Sequence, residues 1–354
     1  MPDDARIRTL VVDDTVFMRR ALVDILSQDK GIEVVGVAKH GREALDAIEV
    51  LRPDVVTLDV DMPVMDGLTA IKHIMIKRPT PVVMISGLAG HGRVTLEALR
   101  LGAVDFFPKP SGTISLDIHS QSEELGQVVI RAAKINPKAI KRVRFPARKA
   151  AGASAPRDIR PLGLIIIIVG KGSLGPFIRL LVNLRSGLPV SILCIQDISS
   201  EVLGSYSKEL DSVVPWDVSL AKRDMELRQG SCLMAAKDRP PGIDADDLGG
   251  IKIVDAPQGQ SEEALFEQAA CLMDGHCMVI VMGGPECRIA GGLERIKADG
   301  GEVLFFDPNF ALMHHGDTPY QLSQDSVLNE YDLLARTDAF GRRLFFDGLA
   351  KKQI

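Results

Sequence analysis

Short apolar runs alternate with amphipathic helical segments twice along this chain of 354 residues. Segments such as Phe17–Leu26 and Gly41–Leu51 place apolar residues three and four positions apart, the spacing of one helix face. In the first half of the chain, the apolar runs are Leu10–Val12, Glu33–Ala38, Val55–Leu58, Val82–Ile85 and Ala103–Phe107. Alternating strands and helices predict parallel strands joined by crossover helices. The first half is therefore predicted to form a doubly wound, five-stranded α/β domain.

A second alternation begins at Leu162 and predicts another doubly wound parallel sheet. Its strand candidates are Leu164–Val169, Val190–Ile195, Ser231–Ala236, Ile251–Val254, Met278–Met282 and Glu302–Phe306. Its helix candidates are Gly175–Leu184, Ser261–Met273 and Ala290–Ala298. The residues after Thr337 are interpreted as a C-terminal extension.

A basic segment separates the two alternations. Between Arg131 and Arg160 there are ten Lys and Arg residues and one acid, Asp158, although the whole chain has a formal net charge of -5. Low hydropathy and like charge predict an extended, solvated linker. The predicted organisation is a first domain at 1–133, a linker at 134–160 and a second domain at 161–354. No helix-turn-helix pattern accompanies the basic residues, so they are predicted to tether the domains and not to bind nucleic acid.

Other features of the sequence exclude several classes of protein. The apolar stretch near the start is too short for a secretory signal, and the longest apolar run, Leu162–Val169, is too short to cross a bilayer. The five cysteines include no CxxC pair, which favours buried reduced thiols over disulfides or a zinc site. We therefore predict a cytoplasmic protein without membrane insertion.

Charged and polar residues follow four strands of the first predicted sheet. Asp13 and Asp14 end the first strand, Asp59 ends the third, Ser86 the fourth and Lys109 the fifth. The carboxyl ends of parallel strands share one edge, where ligands bind in open α/β sheets. Three carboxylates there would repel one another without a cation, and oxygen ligands of this kind suit Mg²⁺. Lys109 and Ser86 can contact phosphoryl oxygens, so Asp59 is predicted to be a nucleophile that forms an acyl phosphate.

Four motifs resemble the receiver domain of two-component response regulators, over about residues 7–130. They are Leu10-Val-Val-Asp-Asp14, Leu58-Asp-Val-Asp-Met-Pro63 with Met65-Asp-Gly67, Met84-Ile-Ser86 and Phe107-Pro-Lys-Pro110. The resemblance implies that a sensor histidine kinase phosphorylates Asp59. It also implies a Mg²⁺ site, two phosphoryl contacts and a switch aromatic residue. By this resemblance, Asp14, Asp59 and the backbone carbonyl of Asp61 hold Mg²⁺, Asp13 acts through water, Ser86 and Lys109 contact the phosphoryl group, and Phe106 is the switch residue.

One branch of these receivers is especially similar. The segments Gly87-Leu-Ala-Gly-His-Gly92 and Leu101-Gly-Ala-Val-Asp-Phe-Phe-Pro-Lys-Pro110 are similar to receivers attached to chemotaxis-type protein-glutamate methylesterases. The second half of the chain is similar to the same family in outline. The resemblance implies a chemotaxis-like pathway, with a chemoreceptor or another signalling protein as a partner.

The esterase chemistry of that family requires a Ser–His–Asp relay. Aligned without gaps, the serine position holds Gly172, the histidine position holds Asp197 and the aspartate position holds Arg288. We therefore predict a phosphorylatable regulator whose methylesterase-like domain has no triad. The alternative is an active methylesterase/amidase acting on chemoreceptors, with Ser173 as its nucleophile, because Ser173-Leu-Gly175 keeps an S-x-G spacing.

Overall fold

The structure is a computed structural model that describes residues 6–86, 92–109, 117–135, 159–170, 173–198, 200–246, 249–256, 262–282, 289–306 and 327–350. The chain divides into two compact units, Met1–Arg144 and Phe145–Ile354. That division falls inside the predicted linker, of which residues 136–158 lie outside the described ranges. The domain limits at 133 and 161 stay predictions.

The first unit alternates strand and helix, as predicted. Its elements are β1 Ile7–Val12, α1 Val16–Leu26, β2 Ile32–Ala38, α2 Gly41–Leu51, β3 Val55–Asp59, α3 Gly67–Lys77, β4 Val82–Ser86, α4 Gly92–Leu101, β5 Asp105–Pro108 and α5 Asp117–Ala133. The predicted strand Ala103–Phe107 starts two residues late, because Gly102 ends α4 in the left-handed region with φ 112° and the chain turns there.

The five strands form one parallel sheet in the order β2-β1-β3-β4-β5. The strand order reverses between β1 and β3, so the crevice in which such sheets bind ligands lies at the ends of these two strands. Strands β3 and β4 are buried along their whole length. Continuous apolar runs of this kind are typical of strands with helices on both faces.

The second unit is larger and combines a parallel sheet with a hairpin. Its strands are β6 Gly163–Val169, β7 Val190–Gln196, β8 Asp217–Leu220, β9 Ser231–Ala236, β10 Pro241–Ala245, β11 Ile251–Asp255, β12 Cys277–Met282, β13 Glu302–Phe306 and β14 Val327–Leu328. Its helices are α6 Leu174–Asn183, α7 Ser200–Val213, α8 Glu262–Met273, α9 Ala290–Ala298 and α10 Glu330–Ala350. Seven strands pair in parallel in the order β14-β13-β12-β6-β7-β9-β8.

The second unit differs from the sequence interpretation in several places, among them α7, β8, β10 and β14, for which the sequence pattern supplied no candidate. The predicted strand Ile251–Val254 pairs antiparallel with β10 and forms a separate two-stranded sheet. Residues 338–350 form part of the continuous helix α10, whose Leu333, Phe340 and Leu344 are buried. The end of the chain up to Ala350 is thus a helix packed on the domain.

The cysteines mostly follow the prediction. Cys194, Cys232 and Cys277 are buried free thiols, whereas Cys271 is exposed on α8 and departs from it. Cys287 lies outside the described residues. Across the described ranges, no helix has both the length and the apolar character required to span a membrane.

Candidate functional site

The acidic residues of the first unit meet at the crevice between β1 and β3. Asp13 follows the last residue of β1, and Asp59 is the last residue of β3. Both side chains are buried, at 0% and 2% exposure. The register pairs Val12 with Leu58, so the two carboxylates emerge from neighbouring strands at the same level. The convergence predicted from the sequence is present.

Lys109 joins these two carboxylates. Its Nζ lies 2.9 Å from Asp13 Oδ2 and 2.7 Å from Asp59 Oδ2, and its side chain is 21% exposed. The backbone N–H of Lys109 donates to Ser86 O at 2.7 Å, which ties the end of β5 to the end of β4. The ammonium group therefore partly neutralises two buried negative charges, whose burial without a partner would be costly.

The environment shifts two pKa values in this pocket. Burial raises the pKa of Asp59, Lys109 lowers it through a hydrogen bond and charge, and the nearby Asp13 raises it; the net shift is upward. Burial lowers the pKa of Lys109, but bonds to Asp59 and Asp13 outweigh burial and raise it overall. The two carboxylates thus favour the charged form of the lysine, whereas burial opposes the charged form of Asp59.

Asp14 completes an oxygen-rich cluster. One carboxylate oxygen each from Asp13, Asp14 and Asp59 lies within 4.8 Å of the others. Asp14 is exposed, so this side of the cluster faces solvent. The side chain of Asp61, two residues beyond Asp59, is also exposed. Hard oxygen donors around one point fit a divalent cation such as Mg²⁺.

Two residues that hold the acidic loop were not singled out from the sequence. The guanidinium of Arg19 donates to the backbone carbonyls of Asp13 and Asp14 at 2.6 and 3.0 Å. Thr15 donates its N–H to Asp13 Oδ1 at 2.8 Å and its hydroxyl to Asp14 Oδ1 at 3.0 Å. An arginine on the first turn of the helix that follows an Asp-Asp pair was the available signal.

Gly67, at the start of α3, permits a close backbone approach to the pocket. Its N–H donates to Val60 O at 2.8 Å, and a Cβ added at this position would overlap the carbonyl oxygen of Asp59. The helix therefore starts directly against the strand end that carries Asp59. Asp66 caps this helix by accepting from Thr69 N–H at 2.7 Å. Glycine is required here for space.

Ser86 and Phe106 occupy the remaining predicted positions. Ser86 is buried at the end of β4, and its hydroxyl has no hydrogen-bond partner among the described residues. Phe106 lies half-buried on β5, where it pairs in register with Met84 of β4. Neighbouring strands therefore carry both residues. The similar segment at residues 87–91 lies outside the described ranges.

The second unit has its own crevice, where strand order reverses at β6. Ser173 follows β6 and precedes α6; it is 0% exposed, and its hydroxyl has no partner in the described part of the chain. Asp197, at the predicted histidine position, follows β7 and is half-buried. The two other predicted positions, Gly172 and Arg288, lie outside the described residues.

His276 lies at the opposite edge of this sheet. It directly precedes β12, and its carbonyl accepts from Leu164 N–H at the start of β6. Six residues separate this end of β12 from Met282, which pairs with Val169 at the carboxyl edge. At about 3.3 Å per residue, the imidazole is on the order of 20 Å from Ser173, too far for proton transfer. His314 and His315 lie outside the described residues.

Comparison with known proteins agrees with this two-unit architecture. The profile of the response regulator receiver domain matches residues 9–119, and that of CheB methylesterase matches residues 165–317. A protein-glutamate methylesterase/protein-glutamine glutaminase from Caldanaerobacter subterraneus is 31% identical over 365 residues, covering 95% of this chain and 99% of that protein. The chain belongs to the protein-glutamate methylesterase/protein-glutamine glutaminase family.

Further similarities follow the same pattern. A member of the family from Alkalilimnicola ehrlichii is 31% identical over 351 residues and covers 84% of this chain and 90% of its own. Among solved structures, the response regulator domain of Thermotoga maritima CheB is 47% identical and covers 37% of this chain and 99% of its own, with a TM-score of 0.35. The family assignment confirms the resemblance described from the sequence.

Proposed function

We propose that this protein is a phosphorylation-dependent response regulator in a two-component, chemotaxis-like pathway. Asp59 is the phosphoacceptor, and the methylesterase-like domain acts without catalysis, as a binding module. The observation that carries the first part is the buried Asp59 carboxylate, held 2.7 Å from the Lys109 ammonium group beside Asp13. A carboxylate at this position can attack an electrophilic phosphorus atom, while the ammonium group beside it offsets negative charge that the phosphodonor brings.

In the proposed reaction, a carboxylate oxygen of Asp59 attacks the phosphorus of a phosphohistidine or a small phosphodonor. The new O–P bond forms as the bond to the leaving group breaks, and the product is an acyl phosphate. Lys109 lies within reach of this oxygen and can contact a phosphoryl oxygen as charge moves outward. Catalysis then consists mainly of positioning and charge stabilisation.

The donor set fits Mg²⁺, because three carboxylate oxygens converge within 4.8 Å. Asp14, Asp59 and the backbone carbonyl of Asp61 would hold the ion, with Asp13 acting through water. When bound, the ion would offset negative charge on the transferring group. Arg19 contributes by fixing the carbonyls of Asp13 and Asp14, which sets the position of the loop before any ion binds.

The proposed switch uses Ser86 and Phe106. A phosphoryl group adds a charge of nearly -2 and three acceptor oxygens. The hydroxyl of Ser86, which has no partner among the described residues, can donate to one of these oxygens, while the backbone carbonyl of Ser86 already accepts from Lys109 N–H. Movement of Ser86 toward the phosphoryl group would free space for the ring of Phe106, converting a local charge into a surface change.

The proposed loss of esterase chemistry is supported by the second crevice. Gly172 has no side chain to attack an ester, and a carboxylate at Asp197 is a poor base for a hydroxyl near neutral pH. Ser173 is fully buried, so a protein side chain cannot reach its hydroxyl without rearrangement. The unit keeps its seven-stranded sheet nonetheless. A folded domain lacking its nucleophile is suited to binding.

Phosphoryl labelling tests the first part of the proposal. Asp59→Asn is expected to abolish labelling by acetyl phosphate in the presence of Mg²⁺, measured as a mass shift of the intact protein. Asp24→Asn, the same change on the exposed face of α1, is the matched control and is expected to label as the native protein does. Undiminished labelling of the Asp59 variant would refute the assignment.

The alternative function is an active protein-glutamate methylesterase/glutaminase that uses Ser173. The near full-length similarity to proteins with that name favours it. Methanol release from methylated chemoreceptor separates the two functions, with the phosphorylated native protein measured beside Ser173→Ala. We expect no release above background from either. Robust release that disappears in the variant would establish the alternative and leave the phosphoacceptor assignment intact.

The partners and location follow from the same proposal. A sensor histidine kinase supplies the phosphoryl group, and a chemoreceptor or another signalling protein contacts the second domain. We place the protein in the cytoplasm, without nucleic acid as a ligand. Retention of a signalling partner by native protein treated with a phosphoryl mimic, compared with untreated protein, tests the binding role directly.

A further inference from the structure

A cavity of about 610 Å³ lies at the edge of the seven-stranded sheet, where β8 is the last strand. Its walls come from β8, β9, the end of α7 and the loop between β8 and β9. The apolar part includes Val218, Met225 and Leu233. A volume of this size is in the range of binding cavities. It lies at the amino-terminal end of β9 and involves neither Ser173 nor Asp197.

The charged lining of this cavity is mostly acidic. It holds four carboxylates and one guanidinium, contributed by Asp211, Asp217, Asp224, Glu226 and Arg228. Glu226 pairs with Arg228 at 3.2 Å, and Asp224 lies 3.7 Å from Arg223 outside the cavity. Asp224 and Glu226 are exposed, so both pairs are weak. The net charge of the lining favours a cationic occupant.

The basic segment of the chain ends at this cavity. The backbone N–H of Gln229, a lining residue, donates to the carbonyl of Ile159 at 3.0 Å. The chain therefore enters the second unit along the cavity wall. Arg157 is two residues upstream, within about 7 Å of Ile159 along the chain. Arg148 and Lys149 are eleven and ten residues upstream of Ile159, which is a short tether.

We propose that the cavity is the docking site of residues 145–158 of the same chain, with Arg148, Lys149 and Arg157 facing Asp224 and Glu226. A tethered segment of this length reaches an effective concentration in the millimolar range, so it outcompetes basic peptides present at micromolar levels. Docking shortens the part of the linker that is free between the two units. The inference does not depend on phosphorylation or on esterase activity.

Trypsin cleavage of the intact protein tests docking, because a docked segment is cut only when it opens. Cleavage after Arg148, Lys149 and Arg157 is followed by mass spectrometry. The test variant is Asp224→Asn with Glu226→Gln; asparagine tolerates the left-handed backbone of Asp224, whose φ is 63°. We expect cleavage about fivefold faster than in the native protein at low salt, since two surface charge contacts are lost.

The matched control is Asp238→Asn with Glu294→Gln, which makes the same charge change at exposed positions outside the cavity. It is expected to be cut at the native rate, and high salt is expected to bring the native rate up to that of the test variant. Fluorescence of the buried Trp216 checks that each variant is folded. Equal cleavage rates in all three proteins would overturn the proposal.

A second measurement identifies the occupant. In the full chain, Arg148→Gln, Lys149→Gln and Arg157→Gln together should vacate the cavity. A labelled synthetic peptide of residues 145–158 is then expected to bind this variant at least tenfold more tightly than the native protein. Equal binding to both would mean that the cavity is open to outside partners and would overturn docking by the chain itself.

Discussion

Replacing Lys109 by methionine isolates the role of charge in the receiver pocket. Methionine keeps an apolar stem of similar length but removes the ammonium group that lies 2.9 Å from Asp13 and 2.7 Å from Asp59. Two buried carboxylates are then left facing each other. We expect the first unit to lose stability at neutral pH in the absence of divalent cations.

The size of the loss follows from the distances. With carboxylate oxygens up to 4.8 Å apart, the repulsion between two unit charges is about 3.5 kcal/mol at an effective dielectric constant of about 20. Removing one partner of a buried ion pair typically costs about 3–5 kcal/mol. Lys109 is 21% exposed, which favours the lower end. We therefore expect a loss of about 3 kcal/mol at pH 7.5, a large fraction of ordinary domain stability.

The assay must report on the correct unit. The single tryptophan and all three tyrosines lie after residue 161, so their fluorescence follows only the second unit. Hydrogen exchange of peptides from β1 and β3, measured by mass spectrometry in urea, follows the first. Lys72→Met on the exposed side of α3 is the control. The expected loss appears in EDTA and is largely recovered in about 10 mM Mg²⁺, because a bound cation replaces the missing charge.

Two results would refute this reasoning. If Lys109→Met and Lys72→Met are equally stable in EDTA, the buried carboxylates do not depend on the lysine. If Mg²⁺ stabilises the native protein but not the Lys109 variant, the carboxylate cluster is not what binds the cation.

Three further predictions concern the backbone and the buried thiols. Val64 is 81% exposed and has φ 67°, a left-handed conformation that is unfavourable for a β-branched residue. Val64→Gly should therefore raise the unfolding free energy of the first unit by about 0.5–1 kcal/mol. A decrease would contradict the claim that the backbone is strained at Val64. Gly67→Ala should lower the unfolding free energy of the first unit by about 1–3 kcal/mol and slow labelling by acetyl phosphate, because the alanine Cβ displaces the backbone of Asp59. Labelling at the native rate would argue against the close approach of Gly67 to Asp59. Burial raises the pKa of Cys232 and of Cys277 from 9.0 to about 12. Since the unfolded chain releases these protons first, the second unit should lose about 1.4 kcal/mol per pH unit per thiol from pH 9 upward, and Cys232→Ala should reduce that slope in Trp216-monitored urea unfolding.

The first unit was largely predictable because its pattern is local and regular. Each apolar run that ends at Asp13, Asp59 or Ser86 is a strand, and parallel strands must bring their ends together. Arg19 was missed because its partners are backbone carbonyls, so only its place at the start of the helix after the Asp-Asp pair points to it. The late start of β5 depends on one left-handed glycine.

The second unit was less predictable because tertiary packing decides its irregular parts. The run Ile251–Val254 has the composition of a strand, but nothing in it distinguishes membership of the parallel sheet from pairing with Pro241–Ala245. Strand β8 has only four residues and depends on β9 for its pairing. Helix α10 buries Leu333 and Phe340. Its Arg336 and Arg343 bind Glu302, which is more than thirty residues earlier in the sequence.

The crevice of the second unit lies beyond the strand ends, whereas the core lies between them. Strand β6 contributes Leu164–Ile167 to the interior, all fully buried, whereas Ser173 and Asp197 follow the ends of β6 and β7. Residues at the edge can therefore drift over evolutionary time with little penalty to folding. A lineage can change the chemistry of one crevice while the folds of both domains are inherited. A domain of this kind is therefore a ready starting point for a new binding role.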